Sequence, residues 1–268
     1  MHSLKLMPLL GLFCCWQNLD AQVQTYLSIG DTTCVFGDKV NIRTQPGPDA
    51  PVAFQLTAGE PLIIVEKREE HYRISEVDMH WYHIKAFDGR QGFVWGGMLS
   101  LWGLKQDGDV CFAAGAIGPS VYEVRAIRKG VIVDRTSNTV YAGEGDVHQG
   151  TIEPGARGLA GYRDLLIFGA GLEACGYSNY AWYILWNGQN LVSLPLCKYS
   201  ADGGNYYEES YLFPDDTQQY DDPSRLYFQV GRGEEVTLDN DSGWTTETQT
   251  KARLMQWDGK KYMKPKDF

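Results

Sequence analysis

The chain has 268 residues, with 34 acidic against 24 basic side chains and a formal net charge of -10. That balance argues against nucleic acid or an anionic membrane surface as a partner. No segment approaches the roughly 20 apolar residues needed to span a bilayer, so no membrane span is expected.

The N-terminus reads as a secretion signal. His2 and Lys5 make a short polar start, residues 6–16 are an apolar run broken only by Pro8 and Gly11, and Leu19-Asp20-Ala21 precedes Gln22. Cleavage after Ala21 would send residues 22–268 to the periplasm or outside the cell as a soluble protein. Lys5 and Asp20 leave together, so the net charge is unchanged. Cys14 and Cys15 follow Leu12 and Phe13, whereas lipid attachment wants a small residue just before the Cys.

Removal of residues 1–21 leaves Cys34, Cys111, Cys175 and Cys197, an even number in an oxidising compartment. Three pairings are possible. Cys34 and Cys111 border the first predicted domain, and Cys175 and Cys197 flank a strand-like segment with a turn at Asn187-Gly188. Those placements favour Cys34–Cys111 and Cys175–Cys197 disulfides. A Cys-x-x-Cys or a His-Cys pair at metal-ligand spacing does not occur, and neither a metal nor a cofactor is expected.

Between residues 40 and 99, short-strand signals follow one another closely. Asn41-Ile42-Arg43-Thr44 precedes a Pro/Gly turn and then Leu56-Thr57-Ala58-Gly59-Glu60. Residues 62–65 are an apolar, largely β-branched run, and residues 81–87 form a second strand ending at Asp88-Gly89, the strongest hairpin signal in the chain. Phe93-Val94-Trp95 is the return strand, and residues 67–73 read as a charged connection. About 60 residues make a marginal lone core, so sheet closure and a larger neighbour both help.

The order N-x-R, turn, Leu before Gly, Trp81-Tyr82-His83-Ile84 and Asp88-Gly89-Arg90-Gln91-Gly92-Phe93-Val94 resembles the bacterial SH3-like (SH3b) family. The resemblance implies a small non-catalytic barrel in an exported protein, recognising cell-wall peptide or docking an envelope protein. It also implies ligand contacts from the loop after the N-x-R strand and from aromatics near the later strands, here Tyr72, Trp81, Tyr82 and Trp95. Trp81 has the stronger claim to the core; Tyr72, in the charged connection, and Trp95, at a strand end, are the better candidates for exposure.

About 247 residues follow the signal, enough for two domains. Glycines and polar residues between 96 and 109 place the division there, giving a barrel at 22–103 and a second domain at 104–268. The second domain reads as strands at 110–114, 121–128, 130–133, 139–142, 164–168, 180–186, 191–194, 225–230 and 252–256, with no helical stripe. The predicted fold class is therefore all-β, a small barrel followed by a larger antiparallel sandwich or curved sheet. Residues 180–186 carry aromatics on both faces, which predicts a central strand covered on both sides.

Trp186-Asn187-Gly188 and Trp257-Asp258-Gly259 each place a Trp before a hairpin turn. With Asp164-Leu165-Leu166 upstream, this resembles strand pairs in FG-GAP-like propeller repeats. Two units cannot close a propeller, and Gly158-Leu159-Ala160-Gly161 replaces that family's calcium loop. Only the local strand-turn-strand structure carries over.

Catalysis has little to stand on. A cell-wall cysteine hydrolase would need Cys175 beside an imidazole, and the second domain offers only His148, so Cys175 is better read as half of a disulfide. His80 and His83 are three apart, which puts them on opposite faces of a strand. Asp239, Asp241 and Glu247 offer calcium-loop oxygens, but Thr250 stands where the closing bidentate acid belongs. The sequence thus points to an exported binding module, with a cell-wall hydrolase or a purely structural interaction protein as the alternatives.

Overall fold

The computed structural model describes residues 27–74, 76–118, 120–140, 147–171, 179–202, 205–237 and 244–266. Its regular structure is all β, with a few 3-10 turns. Residues 1–21, expected to be a secretion signal, lie outside the described residues, as do Cys175 and residues 239–241.

The first layer is a six-stranded antiparallel sheet in the order β1-β4-β5-β6-β2-β3. Its strands are β1 (Thr32–Cys34), β2 (Lys39–Arg43), β3 (Val52–Thr57), β4 (Pro61–Ile74), β5 (Val77–Ala86) and β6 (Gln91–Trp95). Alternate apolar positions converge on one core, with Val40, Ile42, Leu56, Leu62, Ile64, Tyr82, Ile84 and Val94 buried. Asp88-Gly89 makes the expected hairpin, with Gly89 at φ 91 and its N–H donating to Ala86 O at 2.9 Å. Residues 67–73 are strand, not the expected connection, because β4 runs on past two register irregularities and pairs with β5 up to Ile74↔Val77.

The second layer is a four-stranded sheet, β10-β9-β8-β7, built from β7 (Lys105–Asp107), β8 (Val110–Gly118), β9 (Val121–Arg128) and β10 (Val131–Thr139). Six consecutive residues of β8 are buried. Cys111, Ala113 and Ile127 pack against Cys34, Phe36 and Ala58 of the barrel. Val110, Phe112, Ala114, Val124 and Ala126 face the other way, against the third layer. Period-two alternation thus serves two cores at once.

Arg125 fastens the barrel to this sheet. Its guanidinium lies 3.8 Å from the centroid of Phe36, donates to Phe36 O at 2.6 Å and pairs with Glu123 at 2.6 Å. Gly59, at φ 77, lets the barrel approach, since a Cβ there would meet Ile127 at 3.0 Å.

The third layer is a curled eight-stranded sheet running β11-β12-β13-β15-β16-β17-β18, with β14 also paired to β13. These strands are β11 (Val147–Pro154), β12 (Asp164–Gly171), β13 (Asn179–Trp186), β14 (Leu191–Ser193), β15 (Cys197–Asp202), β16 (Asn205–Leu212), β17 (Tyr227–Thr237) and β18 (Trp244–Leu254). The predicted central strand is β13: Trp182, Ile184 and Trp186 face the four-stranded sheet, while Leu185 joins Leu165, Ile167, Cys197, Tyr211, Phe228 and Val230 in a further core.

Both Trp-turn units form hairpins. Asn187 Oδ1 accepts from the N–H groups of Gln189 and Asn190, and Asp258 Oδ1 from those of Lys260 and Lys261. The second joins β19 (Gln256–Trp257) to β20 (Tyr262–Met263). They sit on an open sheet and at its end, so the likeness to propeller repeats ends at the turns.

Candidate functional site

Beyond the barrel, β4 and β5 continue as a two-stranded ribbon with the pairs His71↔His80, Tyr72↔Met79, Arg73↔Asp78 and Ile74↔Val77. Directly opposed residues share a face. Tyr72, Ile74, Val77, Met79 and Trp81 therefore lie on one side, joined by Trp95, the partner of Trp81 on β6.

The opposite side of the ribbon is polar. His71 Nδ1 lies 2.9 Å from Asp78 Oδ1, Arg73 Nη2 lies 3.5 Å from Asp78 Oδ2, and His80 Nδ1 lies 2.9 Å from Arg68 O. The His71 hydrogen bond, aided by Arg73, holds the Asp78 carboxyl below the usual range. His83 falls on the other face, as its spacing predicts, and stacks on Phe93 with centroids 4.8 Å apart. No group of three or more His, Cys, Asp or Glu side chains among the described residues is placed to hold a metal.

The four expected contact residues separate into one exposed residue and three buried ones. Tyr72 is 42% exposed, while Trp81 is 5%, Tyr82 2% and Trp95 6% exposed. Tyr82 belongs to the barrel core, and Trp81 to a satellite cluster with Val77 and Trp95.

The expected exposure of Trp95 does not hold. The 3-10 turn Gly96–Met98 folds over its indole so closely that a Cβ on Gly97 would sit 2.2 Å from the ring. Its Nε1 donates to Tyr72 O at 2.7 Å. That bond ties the exposed residue's backbone to the buried ring, so Tyr72 stands on a rigid floor.

Ile74 was missed. It is exposed and shares Tyr72's face, and the x-Tyr-x-Ile alternation after His71 was the available signal. The run of charges around it masked the period-two pattern.

The Sγ atoms of Cys34 and Cys111 face each other 3.4 Å apart, as two buried thiols and not as the expected bond. The Cys111 thiol and burial together push the Cys34 thiol up. Cys197 is likewise a buried thiol, pushed up by desolvation, and its expected partner Cys175 lies outside the described residues. The same is true of the His148 side chain and of Asp239, Asp241 and the Glu247 side chain.

Asp216 is a structural group: it accepts from Phe213 N at 2.7 Å and lies 3.7 Å from Arg157.

No curated protein and no solved structure matches the chain. Residues 38–100 match the family model of the bacterial SH3 domain. The matched span runs from just before β2 through β6 to the turn that covers Trp95. On sequence and fold together, residues 38–100 are a bacterial SH3 domain.

Proposed function

We propose that this is an exported, non-catalytic binding protein whose barrel recognises cell-wall peptide or an envelope protein, with residues 104–268 serving as its rigid mount. The observation that carries the reading is the rim of Tyr72 and Ile74 above the Trp81–Trp95 floor. It offers amphipathic and aliphatic area on an ordered ribbon, so little conformational entropy is lost on binding.

The test is a pull-down of the purified protein with peptidoglycan, followed by analysis of the soluble products. Retention without released fragments, lost in Tyr72→Ala/Ile74→Ala with the melting temperature preserved, supports the reading. Released fragments would make the protein a hydrolase, and no retention would move the role to protein docking.

A further inference from the structure

Basic side chains gather near the C-terminal end of the chain. Residues 251–266 hold six of the chain's 24 basic side chains, Lys251, Arg253, Lys260, Lys261, Lys264 and Lys266, against the single acid Asp258. A protein of net charge -10 thus concentrates positive charge on one short hairpin and the strand before it. Screening confines the rest of the molecule's charge to about 8 Å at physiological salt, so the local sign governs contact.

The hairpin is built to hold its shape. Asp258 Oδ1 accepts the N–H groups of Lys260 at 2.8 Å and Lys261 at 2.9 Å, Asp258 N donates to Lys261 O, and Gly259 takes φ 96. Met255 is buried in the core of the large sheet, and its N–H donates to Leu226 O. Lys264 is engaged, with Glu209 at 2.6 Å and over the Phe228 ring. Lys251, Lys260, Lys261 and Lys266 have no carboxylate within ion-pair distance among the described residues.

One large ring stands among these cations. Trp257 is 47% exposed and rests against Tyr262, with centroids 4.9 Å apart. Tyr262 packs in turn on the core of the large sheet, so the outermost ring is supported from below.

We propose that this hairpin is a second binding site, for an acidic polysaccharide, with Trp257 against a sugar ring and Lys260 and Lys261 on the carboxylates of neighbouring units. Two features select that occupant. A single exposed ring suits one sugar face, whereas a single-stranded nucleic acid is held on successive stacking platforms. The exposed Met263 pairs with Gln256 and so lies on the opposite face of the hairpin from Trp257, so the two cannot enter one bilayer plane.

The test is affinity electrophoresis of the full protein in gels containing polygalacturonate, with neutral dextran as control. The protein should be retarded by polygalacturonate alone, and retardation should weaken as salt rises. Lys260→Glu/Lys261→Glu, which leaves the backbone bonds to Asp258 in place, should weaken binding about tenfold or more. Trp257→Phe should quench the ligand-induced change in tryptophan fluorescence while preserving the fold by circular dichroism. Unchanged binding in the lysine variant overturns the site. Equal binding to polyglutamate, to an oligonucleotide or to anionic vesicles overturns the assignment to an acidic glycan.

Discussion

Asp164 gives the most demanding test of how the two sheets of the sandwich are joined. It opens β12 opposite Trp186, is only 2% exposed, and its Oδ2 has no hydrogen-bond partner. Burial raises its pKa from 3.8 to about 6; the neighbouring Asp107 carboxylate on β7 adds to the shift, and Arg163 opposes it. Arg163 itself reaches Asp107 at 3.6 Å, so the cluster spans the seam between the four- and eight-stranded sheets.

The folded state therefore holds this proton more tightly than the unfolded chain does. Its contribution is fully present below pH 3.8 and is lost as pH rises through about 6. A shift of roughly two units corresponds to about 3 kcal/mol, of which about 2 to 3 kcal/mol falls between pH 4 and 7.5. Asp164→Asn keeps the shape and cannot ionise. Urea unfolding of both proteins across that range should show the wild type losing about 2 to 3 kcal/mol relative to the variant. A difference that stays constant with pH would refute the placement of this carboxyl in a desolvated, acid-flanked site.

Arg125→Ala should destabilise by about 3 kcal/mol, because it strands the nearly buried Glu123, and Arg125→Met/Glu123→Gln should recover much of that in chemical denaturation. Gly97→Ala should cost about 1 to 3 kcal/mol by overpacking, visible as a lower melting temperature and a shifted tryptophan emission, since its Cβ would enter the Trp95 ring. Oxidation by a small-molecule disulfide should join Cys34 to Cys111 with release of two thiols of reductant. With the two positions 77 apart in the chain, closure should raise stability by up to about 4.5 kcal/mol, and peptide mapping that finds both thiols free after oxidation would remove that pairing.

What the sequence disclosed follows from how much each pattern depends on neighbours. Asp88-Gly89, Asn187-Gly188 and Asp258-Gly259 are local chemistry, and all three turns are where they were expected. The strand at residues 180–186 was legible because aromatics on both faces have no other use than two-sided burial. β16 and the ribbon part of β4 were not. Asn205–Leu212 runs Tyr206-Tyr207 and then Glu208-Glu209, with no period-two pattern, and its strand character depends on pairing with β15 and β17. In β4 the charged outer positions hid the Tyr72 and Ile74 face. Trp95 failed for a different reason: its burial is decided by the Gly96-Gly97 turn folding back, and two glycines read equally well as a linker.

The four-stranded sheet explains why a barrel of marginal size is attached where it is. β8 contributes Cys111 and Ala113 to the barrel side, and Val110, Phe112 and Ala114 to the large sheet, so one strand's alternation couples two cores. Slipping β8 by one residue would exchange the two sets, placing Phe112 against Phe36 and the Cys111 thiol among Trp182 and Trp186. Neither core tolerates that exchange in volume or polarity, so the register of a single strand fixes the barrel relative to the sandwich. The Trp81–Trp95 cluster also packs on Ala116, near the end of that same strand. The floor beneath Tyr72 is therefore set by the second domain as well as by the barrel, and a ligand-binding rim on the isolated barrel would lose part of its support.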